Sequence, residues 1–259
     1  MRSNSQKPFK ERILETSRSN NTRIVLAVDI YDGRPLDISG HSIDLVKETC
    51  DSICAVKFGR QTILSIGPDE SIELLRQVHD YGLTTIIDDK LNDIDETNEA
   101  ITRTYSGLGF DALTVNPFAG WEGGLDSTFA FAHEHLMGVI ALVYMSHPAA
   151  MEGYGQQVIR KESKEGVPQF EVFARKAVEW HADGAVVGAT RPEIVQRAKE
   201  ILGKAVPIFS PGVGTQGGEI GRSLKAGTDY FIIGRSITRS QSPRKTAREF
   251  ARTSVLLDA

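Results

Sequence analysis

The chain is poor in cysteine, and this scarcity restricts its redox and metal chemistry. Its 259 residues include only Cys50 and Cys54. Two cysteines are too few for a disulfide framework, and they lack the partner residues that a zinc quartet needs. The sequence therefore predicts a reduced, cytoplasmic location.

Long apolar runs and a strong net charge are missing as well. No run approaches the ~18 consecutive apolar residues that indicate a membrane span, and residues 1–21 lack the apolar core of a signal peptide. The formal net charge of −4 argues against a general nucleic-acid or membrane-surface binder. We therefore expect a small-molecule partner, neither a nucleic acid nor a membrane.

No linker rich in Pro, Gly or Ser divides the chain, so its organisation is predicted to be simple. The composition, 40% hydrophobic and 25% charged, is ordinary for a globular protein. We predict an N-terminal arm over residues 1–22, either flexible or a short outer helix, whose function is not readable. One domain is predicted over residues 23–259.

Short apolar runs alternate with segments of helical periodicity along this domain. Eight runs predict strands: Ile24–Val28, Ile53–Phe58, Thr84–Ile87, Ala112–Val115, Gly138–Tyr144, Gly184–Val187, Pro207–Ser210 and Tyr230–Ile233. Eight strands alternating with helices in about 250 residues are typical of a single (β/α)8 TIM barrel, and a doubly wound open sheet is the alternative. A barrel carries its function at the carboxyl ends of the strands.

Charged residues follow several of these runs, at the positions where a barrel places its site. Asp29 and Lys57 lie at the ends of the first two runs, and Asp88 and Lys90 follow the third. Side chains two apart on a strand share a face, so Asp88 and Lys90 are expected to point the same way. Alternatives remain for single residues: Asp93 has the form of a helix N-cap, and Lys57 could be a surface lysine.

A lysine beside a carboxylate fits a reaction that develops negative charge on carbon. The carboxylate would repel a substrate anion, and the ammonium would stabilise and then protonate the carbanion. Five of the six histidines do not follow the predicted strand ends and are interpreted as structural or solvent-facing, and His147 is interpreted as part of a turn.

A glycine-rich segment after the seventh run predicts a phosphate site. Gly212–Gly218 matches G-x-G-x-x-G formally, and Arg235 directly follows the eighth run. In a barrel, the loops after strands seven and eight often bind phosphate through backbone N–H groups. Arg235 can add a forked, charge-assisted contact, and Gln216 a side-chain amide. A glycine-rich turn with a solvated arginine is the alternative.

Several separated motifs, in order, resemble orotidine 5′-monophosphate decarboxylase, most closely its compact archaeal-type branch. They are Asp88-x-Lys90-x-x-Asp93-Ile94 with Glu96-Thr97-Asn98, Met145-Ser146-His147-Pro148, Ser210-Pro211-Gly212-Val213-Gly214-x-Gln216-Gly217-Gly218, and Gly234-Arg235-Ser236. The resemblance runs from about residue 23 to the end. It implies a barrel enzyme of pyrimidine biosynthesis that converts orotidine 5′-phosphate to uridine 5′-phosphate and CO2 without metal or organic cofactor.

The resemblance also implies roles for individual residues. Lys90 would protonate C6 as CO2 departs, and Asp88 would face the substrate carboxylate, while Lys57 and Asp29 would engage the ribose hydroxyls. A homodimer is implied, in which each subunit contributes three residues to the neighbouring site. The remaining contacts are assigned as a set: Asp93, Ile94 and Thr97 across the interface, Ser146 at the pyrimidine edge, Gln216, Gly234 and Arg235 at the phosphate, and Pro211 and Val213 closing over the ligand.

Two other functions stay open on sequence alone. A sugar-phosphate decarboxylase or aldolase of the same superfamily would use Mg²⁺, and a non-catalytic nucleotide sensor would bind without turnover. The charged segment Met151–Gln169 is either a lid over the pyrimidine or a surface insertion. Asp89 is expected to point away from the site.

Overall fold

Eight parallel strands close into a barrel in the computed structural model, which describes residues 7–159, 166–214 and 219–256. The strands are β1 (Ile24–Val28), β2 (Ala55–Gly59), β3 (Thr84–Leu91), β4 (Ala112–Val115), β5 (Gly138–Tyr144), β8 (Gly184–Val187), β9 (Ile208–Pro211) and β10 (Tyr230–Ile233). Around the barrel they follow the order β1-β10-β9-β8-β5-β4-β3-β2. All eight predicted strands are confirmed, and the open-sheet alternative is wrong because β1 pairs with β10.

Helices surround the barrel. Their bounds are α1 (Phe9–Ser19), α2 (Pro35–Thr49), α3 (Arg60–Ile66), α4 (Pro68–Asp80), α5 (Asp95–Leu108), α6 (Asp126–Glu134), α7 (Ala150–Tyr154), α8 (Gln169–Glu179), α9 (Pro192–Leu202), α10 (Ile220–Lys225), α11 (Arg235–Thr238) and α12 (Pro243–Val255). A 3₁₀ turn (Pro117–Ala119) follows β4, and the next segment, Trp121–Leu125, is kinked at Glu122 and Gly123. Among the described residues no helix is long and apolar enough to cross a membrane.

The strands read as continuous apolar runs because both of their faces are covered. Every residue of β1, β2, β4, β5, β8 and β10 is buried. Parallel strands between a filled barrel interior and a helical layer take this pattern, whereas half-exposed strands would alternate. Because the barrel interior is apolar, the polar and charged side chains of a site are expected at the ends of the strands.

Helix α1 lies across the amino-terminal end of the barrel. Phe9 and Ile13 are each 1% exposed, and the Phe9 N–H donates to the Leu136 carbonyl at 3.2 Å. Asn20 Nδ2 donates to the carbonyl of Ile53, and Lys10 Nζ to that of Ala205. Residues 9–19 therefore cover the end of the barrel opposite to the carboxyl ends of the strands, where the site is predicted.

The segment Met151–Gln169 contains most of α7 and a two-stranded antiparallel sheet, β6 (Gln157–Ile159) with β7 (Gly166–Pro168). Residues 160–165 lie outside the described part of the chain. The choice between a lid and a surface insertion therefore stays a prediction.

Candidate active site

A cavity of about 490 Å³ opens at the carboxyl end of the barrel strands. It brings together most of the residues that the sequence singled out. Those lining it are Asp29, Lys57, Asp88, Lys90, Ser146, Pro211, Val213, Gly234 and Arg235. They come from the ends of six different strands or the loops that follow, which is how a barrel assembles a site.

A chain of three charges forms the floor of this cavity. Lys57 Nζ donates to Asp88 Oδ2 at 2.5 Å, and Lys90 Nζ donates to Asp88 Oδ1 at 2.6 Å. The Lys57 side chain is 7% exposed, whereas that of Lys90 is 36% exposed. Charges removed from water are tolerated when they are paired in this way. Both lysines therefore line the cavity, and Lys90 is the more exposed of the two.

The pairing keeps these groups ionised. Burial alone would raise the pKa of Asp88, but the ammonium groups of Lys57 and Lys90 outweigh it and hold that pKa well below its usual range. Burial alone would lower the pKa of Lys57, but Asp88 and Asp29 outweigh it and raise the pKa above its usual value. The site thus presents fixed charges of both signs near neutral pH.

Strand β3 is irregular where it carries Asp88 and Lys90. Strand β3 continues to Leu91, beyond the predicted end at Ile87, and its register to β4 breaks between these two residues. Lys90 has φ +60°, in the left-handed region that few non-glycine residues occupy. Asp88 and Lys90 nevertheless share a face, as predicted, and Asp89 between them is buried on the other side.

Asp89 points to the outer face of the barrel. It is 7% exposed, and Arg60 Nη1 donates to its Oδ1 at 2.9 Å. Burial and the neighbouring Asp89 raise the pKa of Tyr105 on α5. Asp89 is thus tied to the helical layer and not to the cavity.

Asp29 lies at the cavity mouth after β1. Gln61 Nε2 donates to Asp29 Oδ1 at 3.0 Å. Gly59, at the end of β2, permits this contact, because a Cβ there would lie 2.4 Å from Asp29 Oδ1 and 2.3 Å from Gln61 Nε2. The exposed Asp29 carboxylate is thereby oriented beside Lys57.

The opposite side of the cavity is lined by the loops after β9 and β10. Pro211, Gly212 and Val213 face Gly234 and Arg235 there. Arg235 is the first residue of α11 and is exposed. Gln216, assigned to the phosphate from the sequence, lies outside the described residues. The described residues thus place a guanidinium and a glycine-containing loop opposite the charged floor.

Ser146 reaches the cavity from the loop after β5, and its backbone packs closely on β8. A Cβ at Gly188 would lie 2.7 Å from the Ser146 Cα, so only glycine fits there. Thr190 Oγ1 donates to the Ser146 carbonyl at 3.2 Å. Ser146 therefore lines the cavity on a backbone that the close packing of Gly188 and the bond from Thr190 hold in place.

Asp93, Ile94 and Thr97 do not line the cavity of their own chain. Asp93 and Ile94 are exposed, Ile94 by 64%. The N-cap interpretation of Asp93 is wrong, because α5 begins at Asp95 with Ile94 as N-cap, and Asp93 Oδ1 accepts from the Ile94 N–H at 2.8 Å. The Asn98 side chain fixes the turn, since its Nδ2 donates to the Asp93 carbonyl at 2.6 Å.

Sequence reasoning missed several residues of the site. Tyr31, Gln61 and Arg239 also line the cavity, and so does His147, which was interpreted only as part of a turn. Gln61 and Arg239 each follow a predicted strand within a few residues, and this position could have marked them as candidate site residues. Thr114, inside the apolar run of β4, contacts Asp88 and Lys90 and carried no sequence signal.

The model of the Orotidine 5′-phosphate decarboxylase / HUMPS family matches residues 22–250 of the chain. The chain belongs to this family. The match begins just before β1, so α1 lies outside it.

Named relatives agree with this assignment. An orotidine 5′-phosphate decarboxylase of Pyrococcus abyssi is 34% identical over 87% of this chain and 96% of its own length. The crystal structure of the Methanocaldococcus jannaschii decarboxylase, complexed with the inhibitor BMP, is 28% identical with a TM-score of 0.76, covering 90% of this chain and 98% of that one. The archaeal-type resemblance is therefore confirmed, and the sugar-phosphate alternative gains no support.

The fold match extends further than the family match. A decarboxylase structure from Leishmania donovani superposes with a TM-score of 0.82 over 97% of this chain and all of that one, at 19% identity. At this identity the likeness concerns the fold alone. The TIM-barrel prediction is thus confirmed by an independent comparison.

Proposed function

We propose that the protein is a carboxy-lyase that converts orotidine 5′-phosphate to uridine 5′-phosphate and CO2. One observation carries the proposal: Lys57, Asp88 and Lys90 form a continuous ion-paired chain on the floor of the barrel cavity. Family membership supplies the substrate class, because the named archaeal relatives carry this activity in their names.

The charge chain suits a decarboxylation in which no cofactor accepts the electrons. The C6–carboxylate bond breaks, CO2 leaves, and the electron pair remains on C6. The Lys90 ammonium stabilises this charge and donates a proton, so that a C6–H bond forms and Lys90 is left neutral until solvent returns the proton. The ionised Asp88 faces the substrate carboxylate and disfavours the bound substrate relative to the charge-dispersed transition state.

The other site residues would bind the nucleotide. Asp29 and Lys57 engage the ribose hydroxyls, Ser146 contacts the pyrimidine edge, and Arg235 with Gly234 and Gln216 holds the phosphate. Pro211 and Val213 close over the ligand. Binding energy from the remote phosphate can stabilise the closed, water-excluding site in which the charges act most strongly.

We propose that no metal takes part. In the described ranges no group of three or more His, Cys, Asp or Glu side chains is arranged to hold a metal ion. Lys57 and Lys90 already neutralise Asp88, which supports a mechanism carried by ammonium groups. Metal independence remains a prediction for the assay below.

A homodimer with shared sites is part of the proposal. Ile94 is a large, exposed apolar residue between the end of β3 and α5, and Asp93 and Thr97 flank it in the sequence without lining their own cavity. Burying Ile94 against a second copy would remove apolar surface from water and carry Asp93 towards the partner's site.

We also propose a cytoplasmic location. Cys50 and Cys54 are both free thiols, and Cys54 is buried, which suits a reducing compartment. Fractionation of the native cells, with detection of the protein by antibody, tests this.

The deciding experiment mixes the purified protein with orotidine 5′-phosphate and follows the pyrimidine absorbance, with and without EDTA. We expect substrate loss at the same rate in both samples, and CO2 release in equal amount. Tight uridine 5′-phosphate binding without substrate loss would favour the nucleotide sensor. Activity on a sugar phosphate that EDTA abolishes would favour the Mg²⁺-dependent alternative.

A further inference from the structure

Thr114 lies on β4 opposite the irregular part of β3. Ile87 pairs with Leu113, and Leu91 pairs with Val115. Three residues of β3, from Asp88 to Lys90, therefore face Thr114 alone. Thr114 is 2% exposed and does not line the cavity, so it reaches the site only through its neighbours.

The Thr114 hydroxyl makes two hydrogen bonds, one to each member of the catalytic pair. It accepts from the Lys90 backbone N–H at 2.9 Å and donates to Asp88 Oδ1 at 3.1 Å. A hydroxyl has a single proton to donate, and the backbone N–H occupies its acceptor side, so the proton is directed at the carboxylate. The Lys90 ammonium donates to the same oxygen, which closes a ring through Asp88, Lys90 and Thr114.

The backbone at Lys90 needs such a restraint. Its φ of +60° is costly for a residue with a side chain, and conformations of this kind persist where the surroundings over-determine them. Strand β4 offers no regular ladder partner at this point. Because Thr114 provides the acceptor for the Lys90 N–H, the left-handed conformation leaves no unpaired backbone donor at this position.

We propose that Thr114 is a positioning residue, which sets the orientation of the Asp88 carboxylate and the backbone conformation from which Lys90 reaches the substrate. The inference rests on the proposed function. A carboxylate held by three donors cannot rotate, so the two ammonium groups stay in place before the reaction begins. Loss of the hydroxyl would let Asp88 and Lys90 relax, and a small misplacement is costly for the chemical step.

The chain contains a matched control near the start of the neighbouring strand, β3. Thr85 is also fully buried, and its hydroxyl donates to Asp111 Oδ2 at 3.0 Å and accepts from the Asp111 N–H at 3.3 Å. Thr85→Val removes the same kind of hydrogen bonds from a place remote from the cavity. It therefore reports the structural effect of the substitution alone.

The test compares Thr114→Val, Thr114→Ser and Thr85→Val with the wild type by steady-state turnover of orotidine 5′-phosphate and calorimetric binding of uridine 5′-phosphate. For Thr114→Val we expect kcat to fall about 10- to 100-fold, as for a lost hydrogen bond to a charged group. KM and product affinity should be unchanged. Thr114→Ser should recover most of kcat, and Thr85→Val should lower the melting temperature with wild-type kcat.

Different results separate this inference from the proposed function. A wild type that leaves orotidine 5′-phosphate intact contradicts the proposed function itself. An active wild type with undiminished kcat in Thr114→Val overturns the positioning role alone, and so does an equal loss of kcat in Thr85→Val. If Thr114→Val does not fold, Thr114→Ala replaces it, and wild-type kcat in that variant is equally decisive against the role.

Discussion

At the scale of single residues, the two lysines of the site have different surroundings and therefore different tasks. Lys57 is enclosed, with a raised pKa, and its proton stays bound at neutral pH. Lys90 is the more exposed of the two and borders the cavity beside the same carboxylate. Proton donation to a substrate atom needs access, so geometry favours Lys90 as the acid and Lys57 as the fixed counter-charge.

Lys90→Ala tests this assignment. We expect kcat to fall at least ~100-fold, because general acid catalysis is typically worth 10²–10⁴-fold, whereas uridine 5′-phosphate binding should remain measurable. Turnover is followed by absorbance and binding by calorimetry. Lys199→Ala is the matched control, since Lys199 forms a 2.7 Å ion pair with Asp229 away from the cavity. Retention of more than about a tenth of the wild-type rate would refute the acid role.

Arg235→Ala tests the phosphate side of the cavity. A guanidinium on a phosphate makes charge-assisted hydrogen bonds, and losing them should weaken uridine 5′-phosphate binding about 10- to 100-fold. Binding of uridine, which lacks the phosphate, should not change. Arg76→Ala, which removes an exposed arginine of α4 paired with Glu73, serves as the control. Equal affinity of Arg235→Ala and wild type would place the phosphate elsewhere.

At the scale of elements, the sequence revealed the strands but not their irregularities. The eight apolar runs were readable because strands covered on both faces are apolar throughout. The break between Ile87 and Leu91 was not, because it depends on a backbone conformation at Lys90 and on the hydroxyl of Thr114 across the ladder. The cavity thus brings together Asp29, Lys57, Asp88 and Lys90 but not Asp93, and their roles stay predictions, while the irregular backbone of β3 was not predicted at all.

A repeated arrangement of strand-start aspartates at the amino-terminal end of the barrel was also not predicted from the sequence. Asp111, Asp183 and Asp229 each directly precede a strand, and each carboxylate accepts the backbone N–H of the neighbouring strand: Thr85 at 2.7 Å, Val139 at 2.9 Å and Ile208 at 2.8 Å. Each also meets a basic side chain, from His79, His133 and Lys199. An acid just before each of these apolar runs was the available signal.

Asp111→Asn tests how much the interactions of one strand-start aspartate stabilise the fold. Asp111 also pairs with Arg12 of α1, and removing one partner of a buried ion pair typically costs about 3–5 kcal/mol of unfolding free energy. Urea unfolding at pH 7 measures the loss. The turnover rate of the folded variant should not change, because Asp111 lies away from the cavity. A loss under about 1 kcal/mol would contradict the stabilising role.

The same variant should show a defined pH dependence. Burial would raise the pKa of Asp111, but His79 and Arg12 outweigh it and lower that pKa below its ordinary value. The carboxylate therefore adds stability above its unfolded pKa of about 3.9, and this stability is lost as pH falls through the lower folded pKa. The difference in unfolding free energy between wild type and Asp111→Asn should therefore be largest near pH 7 and become smaller towards acid pH.

At the scale of the whole molecule, the barrel separates stability from function by its two ends. Helix α1 and the three strand-start aspartates close the amino-terminal end, and the ion-paired floor with Arg235 occupies the other. Asp93, Ile94 and Thr97 follow the carboxyl end of β3 and belong to the site motifs, yet none of them lines the cavity of its own chain. This mismatch is the structural reason for expecting a second subunit, which composition and charge alone did not require.

Mixing two inactive variants tests that expectation. If the partner's Asp93 completes each site, Lys90→Ala and Asp93→Ala homodimers are both inactive, but a mixed dimer has one site with both residues intact. Random re-pairing makes about half of the dimers mixed, so about a quarter of the wild-type activity should return. The variants are unfolded together, refolded and assayed, with light scattering to establish the dimer. Each variant refolded alone is the control. No recovery from verified mixed dimers would show that Asp93 acts within its own chain or not at all.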